Sequence, residues 1–209
     1  MRVVVLGATG ATGVEIVDRA LELGHSVTAF VRSPEKLLKR FGGKIEVIRG
    51  NLMDSGELRQ VIRGHDAVLS GFGPRIPVSA GEEDLVTRFT SALTHAMKNS
   101  GVRRIVVESV AFLFKDSLLP PAYFLGRLLF PGIVKDWEAA ESVLQTSALE
   151  CTIVRPPRLT DKPRTGNYRF REGRLPSFAF SISRADVADF MVRSLANGVY
   201  VRKVVGVCD

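Results

Sequence analysis

Two cysteines, Cys151 and Cys208, and three histidines are scattered through 209 residues. No Cys-x-x-Cys pair occurs, so neither a zinc staple nor a disulfide framework is expected, and no metal site is assigned. Free thiols of this kind suit a cytoplasmic protein. Long apolar runs are missing as well. The best stretch, Leu118 to Val134, is broken by Pro120, Pro121, Gly126, Arg127, Pro131 and Gly132. A spanning helix needs about 20 mostly apolar residues, so no membrane span is expected. The opening Met-Arg-Val-Val-Val-Leu-Gly is too short in apolar length for a signal peptide. Tyrosine is scarce too. Tyr123, Tyr168 and Tyr200 are followed four residues on by Arg127, Glu172 and Val204, never by lysine. A Tyr-x-x-x-Lys dyad, in which the lysine lowers the tyrosine pKa for proton transfer, is therefore absent. That disfavours ordinary alcohol or ketone redox chemistry and sugar-nucleotide epimerisation. Internal repeats and low-complexity tracts are absent, and the basic residues are dispersed without a nucleic-acid motif, so no nucleic-acid partner is expected.

What is present is an ordinary globular composition. With 45% hydrophobic and 24% charged residues, the chain can bury a core without staples. Its length suggests one domain over residues 1–209. The net charge of +7 points to an anionic partner without choosing one. Strands are predicted at Arg2–Leu6, Ser26–Val31, Ile45–Arg49, Ala67–Ser70, Arg104–Glu108, Thr152–Arg155 and Val204–Val207. Continuous apolar runs such as Val3 to Leu6 suit strands buried on both faces of a parallel sheet. Helical spacing appears in Val14, Val17, Ala20 and Leu21, and more clearly from Leu85 to Met97. Further helices are predicted from Trp137 to Leu144 and from Arg184 to Leu195. Ser183 is the expected cap of the last, with Asp186 three residues on. This alternation predicts an α/β fold, a doubly wound parallel sheet with helices on both faces. Residues 156–182, rich in proline and glycine, are read as a small C-terminal substrate-covering elaboration over the sheet's carboxyl edge.

The strongest local signal is Gly7-Ala8-Thr9-Gly10-Ala11-Thr12-Gly13, which follows a strand and opens a helix. Gly7 permits the tight turn, Gly10 lets backbone approach a pyrophosphate, and Gly13 lets the helix pack closely on the strand. Backbone N–H groups from Thr9 to Gly13 and the helix dipole then hold phosphates. In an NAD site an acid ends the second strand and binds the ribose 2′-hydroxyl. Here Arg32 and Ser33 stand there instead, which favours NADP(H) over NAD(H) through a 2′-phosphate. Gly50-Asn51-Leu52 ends the third strand, where Asn51 and Leu52 can hold an adenine. Gly71 and Gly73 follow the fourth strand and let backbone approach the nicotinamide ribose, and Arg75 is placed to reach a phosphate.

These residues carry a resemblance. The chain resembles atypical short-chain dehydrogenases of the NAD(P)H-binding, NmrA-like group, and within it the biliverdin-IXβ reductase/flavin reductase family. The carrying segments are Gly7–Gly13, Val31-Arg32, Gly50-Asn51-Leu52, Asp66-Ala67-Val68, Gly101-Val102, Ser109 to Leu113, and Thr152 to Tyr168. The last holds Arg-Pro-Pro and then Asp-x-Pro-x-Thr-Gly-x-Tyr. The resemblance implies a Rossmann-type fold, NADPH as hydride donor, and a flat conjugated acceptor such as a flavin, tetrapyrrole or quinone-like molecule. It further implies that Ser109, Val110, Phe112 and the loop Pro156-Pro157-Arg158 line the nicotinamide and substrate pocket. The chain departs from the reductases at Val110, where they carry a hydroxyl, and at Arg158, where they carry histidine.

Hydride transfer to a conjugated acceptor needs no Tyr/Lys dyad, because the acceptor delocalises charge and solvent supplies the proton. Ser109 is the catalytic candidate, placed to orient the nicotinamide or a water. Phe112 is read either as a stacking wall or as an ordinary core residue. Arg158 is assigned to an anionic group of the acceptor. Asp136 and Glu138 are read either as pocket residues or as first-turn acids of their helix. Against the reductase stands a second reading, an NADP(H)-binding redox-sensing regulator without catalysis. The oligomeric state is left open between monomer and homodimer.

Overall fold

Val3, Val4, Val5 and Leu6 are each fully buried, although successive strand residues point to opposite faces. Both faces of that strand are therefore covered. In the computed structural model, which describes residues 1–74, 84–114, 128 and 131–209, this strand is β1 (Arg2–Leu6). The chain continues through α1 (Ala11–Glu22), β2 (Ser26–Val31), α2 (Glu35–Phe41), β3 (Glu46–Arg49), α3 (Ser55–Ile62) and β4 (Ala67–Ser70). Next come α4 (Leu85–Lys98), β5 (Arg104–Glu108), a helical turn at Ala111–Leu113, α5 (Pro131–Thr146) and β6 (Glu150–Arg155). The last elements are β7 (Arg158–Thr160), β8 (Arg169–Glu172), β9 (Ser181–Ser183), α6 (Arg184–Asn197) and β10 (Lys203–Cys208).

Among the described residues eight strands form one sheet in the order β3-β2-β1-β4-β5-β6-β10-β8. All neighbours pair in parallel except β8, which runs antiparallel to β10. Val3, Val5, Ala29, Val106 and Val154 face α1 and α6, where Ile16, Val17, Val187 and Met191 close the layer. Val4, Leu6, Val68, Ile105 and Ile153 face the other way, onto Leu58 of α3, Phe89 and Leu93 of α4 and Leu144 of α5. The fold is the expected doubly wound α/β sheet.

The helix ends follow local chemistry. Gly24 takes φ +76° and the His25 N–H returns to the Ala20 carbonyl at 2.9 Å, which stops α1. Ser183 caps α6, its Oγ accepting from the Asp186 N–H at 2.9 Å. The short α2 and α3 were not foreseen from periodicity. The visible signal for α3 was Asp54, whose carboxylate accepts from Gly56 N–H at 2.8 Å and Glu57 N–H at 3.0 Å. α5 begins six residues before Trp137, with Pro131 at its first position, where a missing N–H costs nothing.

Two readings of the sequence are corrected. Asp136 is not a first-turn acid, because it lies in the second turn of α5 and is buried. Its carboxylate instead caps α4, accepting from Val86 N–H at 2.8 Å, Thr87 N–H at 2.9 Å and Thr87 Oγ1 at 2.6 Å. Residues 156–182 do not all lie over the carboxyl edge. β7 and β9 pair there as a small separate ribbon, whereas β8 extends the main sheet.

Candidate dinucleotide site

The strand order reverses at β1, which lies between β2 and β4. In open parallel sheets the crevice at such a switch, beyond the carboxyl ends of the strands, is where ligands bind. The glycine loop occupies that crevice. Gly7 has φ +72°, and its carbonyl accepts from Gly10 N–H at 2.9 Å to make the turn. A side chain on Gly7 would meet Phe72 N at 2.7 Å, so the β4 loop closes directly on the β1 loop. A side chain on Gly13 would come within 2.1 Å of the Gly7 carbonyl oxygen, so only hydrogen fits between helix and strand. A side chain on Gly10 would press on the Gly7 carbonyl oxygen at 3.2 Å and touch the Gly71 carbonyl oxygen at 3.9 Å.

The first turn of α1 is not served by its own sequence. Gly10 supplies no capping side chain, and the turn contains no acid. The N–H groups of a first turn have no intrahelical acceptor and form the positive end of the helix dipole. An uncapped N-terminus over a cradle that only glycines permit is suited to a phosphate. The residues present therefore fit a dinucleotide pyrophosphate.

The remaining predicted residues that the structure describes follow the carboxyl ends of β2, β3, β4, β5 and β6. Arg32 and Ser33 are exposed at the end of β2, and among the described residues no acid pairs with Arg32. Asn51 is exposed after β3, with its Oδ1 turned back onto Met53 N–H at 3.0 Å, while Leu52 packs on the α3 side of the core. A side chain on Gly71 would meet Ile16 Cδ1 at 3.2 Å and Gly13 N at 3.3 Å, whereas one on Gly73 would make only an ordinary 3.5 Å contact with Trp137. Arg75 lies outside the described residues, as does most of the segment 117–134. Val110 is half-buried against the Val86–Trp137 cluster. Ala111 N–H donates to the Pro156 carbonyl at 3.1 Å, which joins the loops after β5 and β6. Phe112 and Pro157 are half-buried, Pro156 is buried, and Arg158 is exposed where β7 pairs with Ser181.

Two buried acids in the site were missed in the sequence. Glu108 ends β5 and accepts from Thr12 Oγ1 at 3.2 Å, tying the first turn of α1 to the strand. Burial pushes its carboxyl up to about 7, opposed by the Thr12 hydrogen bond and the charge of Arg184. Glu141 lies on α5 and accepts from Ser109 Oγ at 2.5 Å. The signal was available: Trp137, Ala140, Glu141 and Leu144 share one helical face, and a charged residue on a buried face needs a partner.

The Thr-Gly-x-Tyr signature lies elsewhere. Thr165 and Gly166 N–H groups donate to Asp186 Oδ1 at 3.0 and 2.8 Å, and Tyr168 OH donates to Asp189 Oδ2 at 2.7 Å. Burial and that bond raise the Tyr168 phenol, making it a weaker acid than a free tyrosine. A cleft of about 480 Å³ opens beside this strap, at the end of α1 remote from the glycine loop. Its Arg19, Arg164 and Arg193 are paired with Asp189 and Glu22. The segment docks onto α6 and is a device of the fold. Both cysteines are free and buried, and no described helix is long and apolar enough to cross a membrane.

Fold and cradle together define a dinucleotide-binding α/β protein. Residues 7–198 match the family described as NAD(P)H-binding, and the chain belongs to that family. An uncharacterised chloroplast protein of Arabidopsis thaliana is 31% identical over 204 residues, covering 93% of this chain and 71% of that one. A short-chain dehydrogenase/reductase of Veillonella parvula, solved with NADP, superposes with TM-score 0.79 at 20% identity, over 100% of this chain and 94% of the other. A candidate NADH-flavin reductase of Streptococcus pneumoniae superposes with TM-score 0.80 at 24% identity, over 100% and 99%.

Proposed function

We propose that this protein is an NADPH-dependent reductase that passes hydride to a flat conjugated acceptor of flavin, tetrapyrrole or quinone type. The observation that carries the reading is the uncapped first turn of α1 over the Gly7–Gly13 cradle, with an unpaired arginine where an NAD site has an acid. Gly7, Thr9, Gly10, Ala11, Thr12 and Gly13 hold the pyrophosphate, Arg32 and Ser33 the 2′-phosphate, and Asn51 and Leu52 the adenine. Gly71, Gly73, Ser109, Val110 and Pro156 border the nicotinamide half, and Arg75 is assigned to a phosphate. Phe112, Pro157 and Arg158 take the acceptor, with Arg158 facing its anionic group. The bound nicotinamide supplies the hydride. The protein holds donor and acceptor face to face and excludes water between them. Proton delivery falls to solvent, because the Ser109 hydrogen is engaged by Glu141.

That engagement also favours a second reading, a redox sensor that binds NADP(H) without turnover. Mixing the protein with NADPH and FMN, riboflavin, biliverdin or a quinone separates the two. Loss of nicotinamide absorbance with one of these is the expected result. Tight dinucleotide binding with no turnover on any acceptor would leave the sensor.

A further inference from the structure

Three polar side chains meet where the loops after β5 and β6 come together. Ser109 is 4% exposed and Glu141 3%. Ser109 Oγ donates to Glu141 Oε1 at 2.5 Å. Arg155 donates through Nε to the same oxygen at 3.0 Å and through Nη2 to Glu141 Oε2 at 2.5 Å. The guanidinium also lies over the Phe114 ring, 4.5 Å from its centroid. One carboxylate on α5 thus grips the first residue after β5 and the last residue of β6. These residues head the two loops assigned to the nicotinamide and the acceptor.

A serine hydroxyl has one hydrogen and two lone pairs, and a carboxylate only accepts. With its hydrogen on Glu141, Ser109 has lone pairs alone to offer. The Arg155 fork keeps the carboxylate turned toward the serine, since a bidentate guanidinium pair fixes orientation as well as distance. We infer that Glu141 and Arg155 are positioning residues that make Ser109 a hydrogen-bond acceptor for the carboxamide N–H of a bound nicotinamide. The inference rests on the reading of the crevice as a dinucleotide site. It also narrows the substrate. An acceptor-only serine cannot stabilise an oxyanion on a reduced carbonyl or protonate it. The chemistry is confined to acceptors that spread the incoming negative charge through their own conjugation and take their proton from water.

A plain structural ion pair between α5 and β6 makes a different forecast, because it would affect every ligand alike. The test uses the full chain and two ligands. One is NADPH or NADH, whichever the wild type binds more tightly. The other is the matching ADP-ribose, with the same phosphates and no nicotinamide. Dissociation constants are measured for wild type, S109A, E141Q, E141D and the S109A/E141Q double variant, with thermal midpoints alongside. S109A and E141Q are each expected to weaken the dinucleotide about tenfold, the effect of one hydrogen bond. Both are expected to leave ADP-ribose affinity unchanged, and E141Q is expected to add nothing in the S109A background. E141D keeps a charge for Arg155 but draws the oxygen away from Ser109, so it repeats the loss even if E141Q does not fold. Equal weakening of both ligands, multiplicative losses in the double variant, or wild-type binding by S109A or E141D would overturn the inference. A wild type that binds neither ligand would instead overturn the dinucleotide site itself, and the inference with it.

Discussion

Glu108 shows how much one buried carboxyl can change. Its side chain is 8% exposed and titrates at about 7 in the folded protein, against an ordinary value of 4.5. Below 4.5 it is protonated in both states and has no effect on stability. Between 4.5 and 7 the unfolded chain loses the proton while the folded chain keeps it, so stability falls as pH rises. Above 7 the loss is complete, at about 3 kcal/mol for a shift of this size. Glu108→Gln keeps an acceptor for Thr12 and removes the titration. Urea unfolding from pH 4 to 8 is expected to show that downward slope in wild type and a flattened one in the variant, with the variant more stable at pH 8. Arg32, the residue proposed for the ribose 2′-phosphate, stands exposed at the end of β2. Arg32→Ala is expected to weaken NADPH by roughly ten- to a hundredfold, the range for a charged hydrogen bond, and to spare NADH. Equal losses in a paired titration would remove the 2′-phosphate assignment.

At the scale of elements, the helix ends separate what the sequence states from what it conceals. Ser183 and Asp186 declare the start of α6 because cap and helix are local. Asp54 does the same for α3, although its eight residues were too short to register as a period. The start of α4 was not legible in this way. Asp84 precedes it but gives no side-chain cap, and the carboxylate that serves it comes from Asp136, some fifty residues later. For Glu141 the helical face it shares with Trp137 and Leu144 signalled burial, but its partners Ser109 and Arg155 belong to two other elements and were hidden. The glycine loop was legible because turn, approach and packing are all set by neighbours in sequence. The roles of the site's acids were not, because only tertiary contacts define their partners. Asp136→Ala is expected to cost about 2 kcal/mol, since it strips two N–H groups and a hydroxyl of their acceptor. A shift of the urea midpoint without a change in slope would register it, and dinucleotide affinity should stay as in wild type.

For the molecule as a whole, the proposed site draws on residues that follow six strands, β1 to β6, so a ligand bound as proposed would touch much of the sheet. A ligand that binds only the folded state stabilises it by mass action, by about 2.7 kcal/mol at a hundred times its dissociation constant. For a chain of this size that corresponds to a thermal midpoint raised by roughly 5–10 °C. NADPH is expected to produce that rise in a melting experiment, and adenosine alone a much smaller one. A midpoint indifferent to NADPH would argue against the site.

The strand order also carries a history of assembly. Of the described strands β1 is made before the others and lies inside the sheet, which extends from it to both sides. β2 finds β1 waiting, β3 finds β2, β4 finds β1, and β5 and β6 follow outward in turn. Each described strand up to that point meets a neighbour already made, which suits a chain that folds as it leaves the ribosome. β8 breaks the sequence, because its partner β10 is made some thirty residues after it. Until β10 slots between them, β6 and β8 each present a bare hydrogen-bonding edge that this single late insertion covers.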